Sequence, residues 1–208
     1  HNLLAAAETA GADRFVAQSV AFMYEPTGSA VKDEDAPLYR LPPPELRVSL
    51  EALLELERAV GEARGTVLRY GYFYGPGSSY ASDGPIADQV RKRRFPIVGD
   101  GAGVFSFIHL HDAAEATVAA LERGDGGVFN IVDDEPAPVH EWLPAYAAAL
   151  GAKPPRGVPK LIARLVAGRY GAALMTELRG ASNTRAKEQL QWQPGYASWR
   201  KGFREGLG

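Results

Sequence analysis

The chain has 208 residues, 23 Lys+Arg against 25 Asp+Glu, 46% hydrophobic residues and no cysteine, a length that suits one domain or two small ones. A net charge of -2 leaves no basic footprint for nucleic acid, and zero cysteines exclude disulfide scaffolds, thiolate zinc sites and cysteine nucleophiles together. No apolar run approaches the roughly 20 residues needed to span a bilayer, so the expectation is a cytoplasmic α/β protein without nucleic-acid or membrane partners.

The chain opens on Asn2–Ala10, an Ala/Leu-rich segment that predicts a helix, with Gly11 where a left-handed cap belongs. Arg14–Val20 follows at once as a short apolar run, a buried strand. A helix that leads straight into a buried strand is the second half of a βαβ crossover. Its first strand is not in this sequence, and the reading expects an N-terminal portion before residue 1. Residues 21–44 carry five prolines and no sustained period, the pattern of a long loop. Pro44 then starts a helix over Glu45–Glu62 with a leucine stripe, and Gly65–Gly71 is the next strand. Strand, loop, helix and strand in this order predict a doubly wound, parallel α/β sheet.

Past residue 72 the pattern predicts a helix over Pro85–Arg94 and a strand at Phe95–Val98. A glycine turn at Gly99–Gly103 and a single strand over Val104–Leu110 come next. Asp112 with Glu115 has the spacing of a capping box that opens a helix to about Glu122. A strand at Val128–Val132, a helix at Val139–Leu150 and four helical pieces (160–167, 170–178, 184–190 and 199–207) complete the series.

Five segments, in order, carry a family resemblance. They are Asn2-Leu-Leu-Ala-Ala-Ala with Arg14-Phe-Val, then Leu68-Arg-Tyr-Gly-Tyr-Phe-Tyr-Gly-Pro-Gly77, then Gly99-Asp-Gly101 with Phe107-Ile-His-Leu-His-Asp112. Phe129-Asn-Ile-Val-Asp-Asp134 and Leu190-Gln-Trp-Gln-Pro194 complete the set. The chain resembles an extended short-chain dehydrogenase/reductase of the NAD-dependent sugar-nucleotide epimerase/dehydratase group. The resemblance implies an incomplete Rossmann-type sheet holding NAD or NADP (residues 1–71) and a smaller mixed α/β substrate lobe (residues 72–208), with segments interleaved. It also implies a homodimer through the helix 45–62. The family's glycine fingerprint for the cofactor pyrophosphate is absent, since Gly99, Gly101 and Gly103 precede a strand rather than a helix.

The family reaction uses a Ser/Thr, and a Tyr whose phenol, ordinarily titrating near 10, is pulled down by a Lys four residues on. The resemblance places the serine at Val20, with Ser19 beside it, the tyrosine at about Ser49 and the lysine at about Leu53. Glu45–Glu62 contains neither Tyr nor Lys. On the substrate side Phe105 stands where an arginine grips the diphosphate, and Tyr72 where asparagine is common. A less charged, partly apolar substrate follows, either sugar-like or another hydroxyl or carbonyl compound.

The candidate residues are therefore Ser19 as a catalytic or cofactor contact, Tyr70, Gly71 and Tyr72 against the cofactor, and Tyr72, Tyr74 and Phe105 against the substrate. Ser19 serves equally as a strand-end cap, and aromatic residues in such number are more often core than pocket. Tyr24 and Tyr39 are the loop tyrosines available as a substitute acid/base. His109 and His111 have no third ligand cluster, so they make no metal set. Arg91–Arg94 either completes a helix terminus or meets an anionic ligand. Two functions remain open at this point, an atypical NAD(P)-dependent epimerase/dehydratase-like oxidoreductase and a non-catalytic NAD(P)H or metabolite sensor of the same fold.

Overall fold

The computed structural model describes residues 2–208, and at 166 and 167 the backbone alone. The chain runs through α1 (Asn2–Thr9), β1 (Val16–Val20), β2 (Val31–Lys32), α2 (Pro44–Glu62), β3 (Thr66–Tyr70) and β4 (Tyr72–Tyr74). It continues through α3 (Pro85–Arg91), β5 (Ile97–Val98), β6 (Val104–Phe105), β7 (Phe107–His109), α4 (Leu110–Arg123) and β8 (Gly127–Ile131). The last elements are β9 (Ala137–Pro138), α5 (Val139–Ala149), β10 (Gly157–Val158), α6 (Lys160–Glu177), β11 (Gly180–Ala181), α7 (Thr184–Gln189) and α8 (Trp199–Glu205).

The main sheet has the order β1-β3-β8, all parallel, with Val16 opposite Thr66 and Thr66 opposite Gly127. β3 is buried along its whole length, as expected for the central strand of a sheet covered on both faces. Ala17, Val60 and Val67 form the core under α2, while Leu68, Ile108, Phe129 and Ile131 form the core under α4. β8 comes from beyond residue 72, so the second half of the chain returns a strand to the first sheet. The remaining strands make two-residue and three-residue pairs, β4 with β7, β6 with β9, β5 with β10 and β2 with β11. They enclose a core rich in aromatic rings, with Trp142, Tyr146, Trp199 and Phe203 at its centre.

Three local expectations are corrected. The strand expected over Val104–Leu110 is two strands, β6 and β7, in different sheets. The chain turns at Ser106, whose carbonyl accepts from Tyr72 N and whose hydroxyl accepts from Ala181 N. Asp112 does not cap the following helix. The helix begins at Leu110, and His109 Nδ1 accepts the amide of His111. Asp112 is buried and instead accepts from Gly195 N and Tyr196 N, tying the C-terminal segment to α4. The two helical pieces expected at 160–167 and 170–178 form one element broken at Gly168. Its backbone (φ 74°, ψ 178°) lies in a region open essentially to glycine alone.

Asp133, at the end of β8, supplies a pH prediction. It is buried with one oxygen unpartnered, and burial pushes its carboxyl well above the ordinary range, opposed by backbone amides including that of Glu135. The folded state therefore binds a proton that the unfolded chain releases near pH 4. The Asp133 contribution to stability is most favourable below that point and declines as pH rises toward the raised folded value. Urea unfolding of the wild type between pH 5 and 8 is expected to show this fall, and Asp133→Asn is expected to flatten it.

Candidate functional site

A cleft of about 540 Å³ lies at the C-terminal ends of β1 and β3, the position at which open parallel sheets bind ligands. Val20 and Phe22 contribute one wall, Tyr70, Gly71, Tyr72 and Phe73 a second, and Gly77–Tyr80 with Leu110 the rim. Gln18, Ser78 and Ser79 are the polar side chains among these non-aromatic lining residues. The strand alternation decides which residues face it. Gln18 and Val20 point into the cleft, so Ser19 between them points to the opposite face.

Ser19 is wholly buried there, and its hydroxyl donates to Glu57 Oε1 at 2.6 Å. Glu57 is locked by Arg69, whose Nε reaches Oε1 at 2.9 Å and Nη2 reaches Oε2 at 2.6 Å. Burial works against the Arg69 charge, yet the Glu57 hydrogen bonds and the nearby Tyr24 leave the guanidinium above its ordinary range. Arg69 Nη1 also donates to Tyr24 Oη at 3.1 Å and to the Glu34 carbonyl at 3.3 Å. Tyr24 Oη in turn donates to Asn130 Oδ1 at 2.7 Å, and Asn130 N to Glu34 Oε1 at 2.8 Å. A chain of buried polar contacts thus fastens the proline-rich loop to the sheet. Ser19 and Tyr24 belong to it rather than to the cleft lining.

Tyr70, Gly71 and Tyr72 are brought together in the cleft wall. Gly71 has a packing reason: a Cβ there would lie 2.5 Å from the Ser106 carbonyl oxygen and 3.0 Å from Val132 Cγ1. Gly71→Ala must push β3 and β4 away from Ser106, and a loss of about 1–3 kcal/mol is expected in chemical denaturation. Tyr72 is the middle ring of a stack, 4.7 Å from Phe22 and 4.6 Å from Phe105 between centroids. Its hydroxyl is buried without a partner among the described residues. Burial, with Tyr170 and Tyr80 nearby, pushes this phenol well above its ordinary value. No cation opposes that rise, so Tyr72 is a neutral aromatic surface and not a proton donor tuned to neutral pH.

Phe105 lies one layer behind, buried against Tyr72, Phe107 and Trp142. Tyr74 is outside the cleft lining altogether. It is buried among Phe107, His109, Tyr196 and Phe203, at the C-terminal side of the lobe. His109 is structural, its Nε2 within 3.1 Å of the Gly206 carbonyl. Tyr39 is pushed up to about 12 by burial and by Glu177 and Glu25, the opposite of what an acid/base requires. Arg91 donates to the Ser82 carbonyl and Lys92 pairs with Asp88, so these two cations of the run are satisfied locally, while Arg93 Nε is buried without a partner among the described residues. Ser49 and Leu53, the positions matched to the missing Tyr and Lys, are not in the cleft wall.

Sequence reasoning missed Gln18, Phe22, Ser78 and Ser79. The period-2 alternation already separates Gln18 and Val20 from Ser19, and choosing the face was the step it lacked. The nicotinamide end of a dinucleotide fits this lining, which offers an apolar floor, the Gln18 amide and two serine hydroxyls. Gly99, Gly101 and Gly103 lie between β5 and β6, with Gly99 and Gly101 in left-handed turns. They are no phosphate loop.

Comparison with known proteins identifies the family. Residues 1–132 match the NAD dependent epimerase/dehydratase family. A 3-diazoavenalumate denitrifying reductase from a Streptomyces species is 48% identical over 205 residues, covering 97% of this chain and 67% of the reductase. The human epimerase family protein SDR39U1, solved with NADPH, superposes with a TM-score of 0.74 at 24% identity over 92% of this chain. The UDP-glucose 4-epimerase of Thermotoga maritima, solved with UDP-glucose, gives 0.71 at 25% identity over 99%. The chain spans 64% and 65% of those two structures. The parallel sheet, the position of the cleft and these matches together place the chain in the NAD-dependent epimerase/dehydratase family.

Proposed function

We propose that this chain is the substrate-facing part of an NAD(P)H-dependent reductase that delivers hydride to a planar aromatic acid bearing a diazonium group, releasing dinitrogen. The observation that carries the reading is the cleft wall: stacked aromatic rings, neutral phenols, and neither the Ser nor the Tyr–Lys pair of the family. When bound, the nicotinamide supplies the hydride. At the substrate, the new C–H bond takes the hydride pair while the C–N bond breaks and its pair leaves with N2. The cation Ar–N2⁺ becomes neutral Ar–H, and no proton enters or leaves. A reaction of this type requires no general acid, so Val20 in the serine position costs it nothing. Phe22, the outer ring of the stack that Tyr72 and Phe105 back, offers a π face to a flat cation, where an arginine grip for a diphosphate would repel it. The name of the Streptomyces relative supports the same chemistry.

The test uses the full-length protein with NADPH carrying deuterium at C4 and an arenediazonium carboxylate. The expected result is loss of nicotinamide absorbance, release of N2 and one deuterium at the carbon that held nitrogen. Cofactor binding without turnover across diazonium, carbonyl and sugar-nucleotide panels would favour the sensor reading instead. The pH profile offers a second check. With no titrating acid in the cleft, kcat is expected to stay flat between pH 6 and 8 for a stable diazonium substrate.

A further inference from the structure

The first two turns of α6 present an unusual outer face. Leu161, Ile162 and Leu165 are 74%, 50% and 83% exposed, while Ala163 faces the core. At 100° per residue the three aliphatics share one arc of about 100°, with Arg164 next to it and Lys160 one step further round on the same side. The surrounding sequence is one-sided in charge. Between Glu141 and Glu177 there are five cations (Lys153, Arg156, Lys160, Arg164 and Arg169) and no acidic residue, in a chain whose net charge is -2. Lys160 pairs with Glu177. Lys153, Arg156, Arg164 and Arg169 are exposed, and no ion pair holds them among the described residues. Gly168 then bends the chain so that the second half of α6 turns inward, with Ala172 and Met175 in the core. The outer half is thereby left as a short ledge, set beside Glu45 at the start of α2.

We propose that this ledge docks the protein on an anionic lipid surface, with the helix lying in the plane of the headgroups. A stripe of leucine and isoleucine flanked by arginine and lysine is the pattern of an interfacial helix. The aliphatics enter the acyl boundary and the long basic side chains reach back to the phosphates. The stripe carries no Trp or Tyr anchor, the residues that mark protein–protein hot spots, and the four cations without an ion pair among the described residues select for a negative surface. No helix among the described residues is long and apolar enough to cross a membrane, so the attachment is peripheral. It stands independently of the reductase reading.

The test is flotation of the full-length protein with vesicles of pure phosphatidylcholine and of phosphatidylcholine with phosphatidylglycerol, at low and high salt. Binding is expected to the anionic vesicles alone and to be lost at high salt, where surface charges are screened. Each cation near an anionic surface contributes about a fivefold factor. Arg164→Glu is therefore expected to reduce the bound fraction about tenfold or more, and Leu161→Ser/Leu165→Ser to do the same, both with an unchanged unfolding midpoint. Equal binding to neutral vesicles, no binding to either kind, or binding that survives both variants would overturn the proposal. So would a leucine variant that abolishes only concentration-dependent association of the protein in solution, which assigns the face to a second copy. Retention of the wild type by an acidic protein without any vesicle binding would overturn it as well.

Discussion

Arg69→Met is expected to lower the unfolding free energy by about 3–5 kcal/mol, the cost of leaving a buried carboxylate without its partner. Arg69 and Glu57 side chains are 6% and 9% exposed, so water cannot replace the lost charge. The damage reaches further than the pair. Glu57 also accepts from Ser19, and Arg69 donates to Tyr24 and to the Glu34 carbonyl, so one substitution loosens β1, β3 and the proline-rich loop together. Urea denaturation is the measurement. Adding Glu57→Gln removes the stranded charge while keeping an acceptor for Ser19, and the double variant is expected to recover a substantial part of the loss. Failure to recover would mean that the hydrogen bonds to Tyr24 and Glu34, rather than the charge, carry the effect.

Tyr72→Ala is the second large effect, on stability and activity together. It removes the middle of the stack between Phe22 and Phe105 and opens a void in a packed wall, for which about 3–5 kcal/mol is typical. The ring pairs themselves contribute about 0.5–1.5 kcal/mol each beyond burial. Tyr72→Phe separates ring from hydroxyl. The hydroxyl is buried and unpartnered, so its removal is expected to leave stability equal or slightly higher. If the stack recognises the substrate through the outer Phe22 ring that Tyr72 supports, Tyr72→Phe keeps turnover of the diazonium substrate while Tyr72→Ala raises KM at least tenfold. A Tyr72→Phe variant that folds normally and loses activity would assign the hydroxyl a direct substrate contact.

Much of the architecture was legible from local pattern. The leucine stripe from Leu46 to Val60, the apolar run at Gly65–Gly71 and the Ala-rich opening each carry a period or a cap that only one element satisfies. The sequence by itself also determined what is missing, since no arrangement in space supplies a Tyr or Lys to a helix that contains neither. The site was less legible because chemistry depends on which face a side chain takes. Ser19 and Gln18 are neighbours in sequence and opposites in space, a difference of one residue in a period of two. Only the tertiary structure decided that Glu57 and Arg69 claim Ser19, that Tyr74 packs on His109 and Phe203, and that Phe22 meets Tyr72. Each partner there comes from a distant segment, and those contacts form only when parallel strands joined by long crossovers are laid side by side. The same holds for Asp112. Its spacing to Glu115 suits a cap, yet the amides of Gly195 and Tyr196, more than eighty residues away, offered the stronger partners in the folded chain.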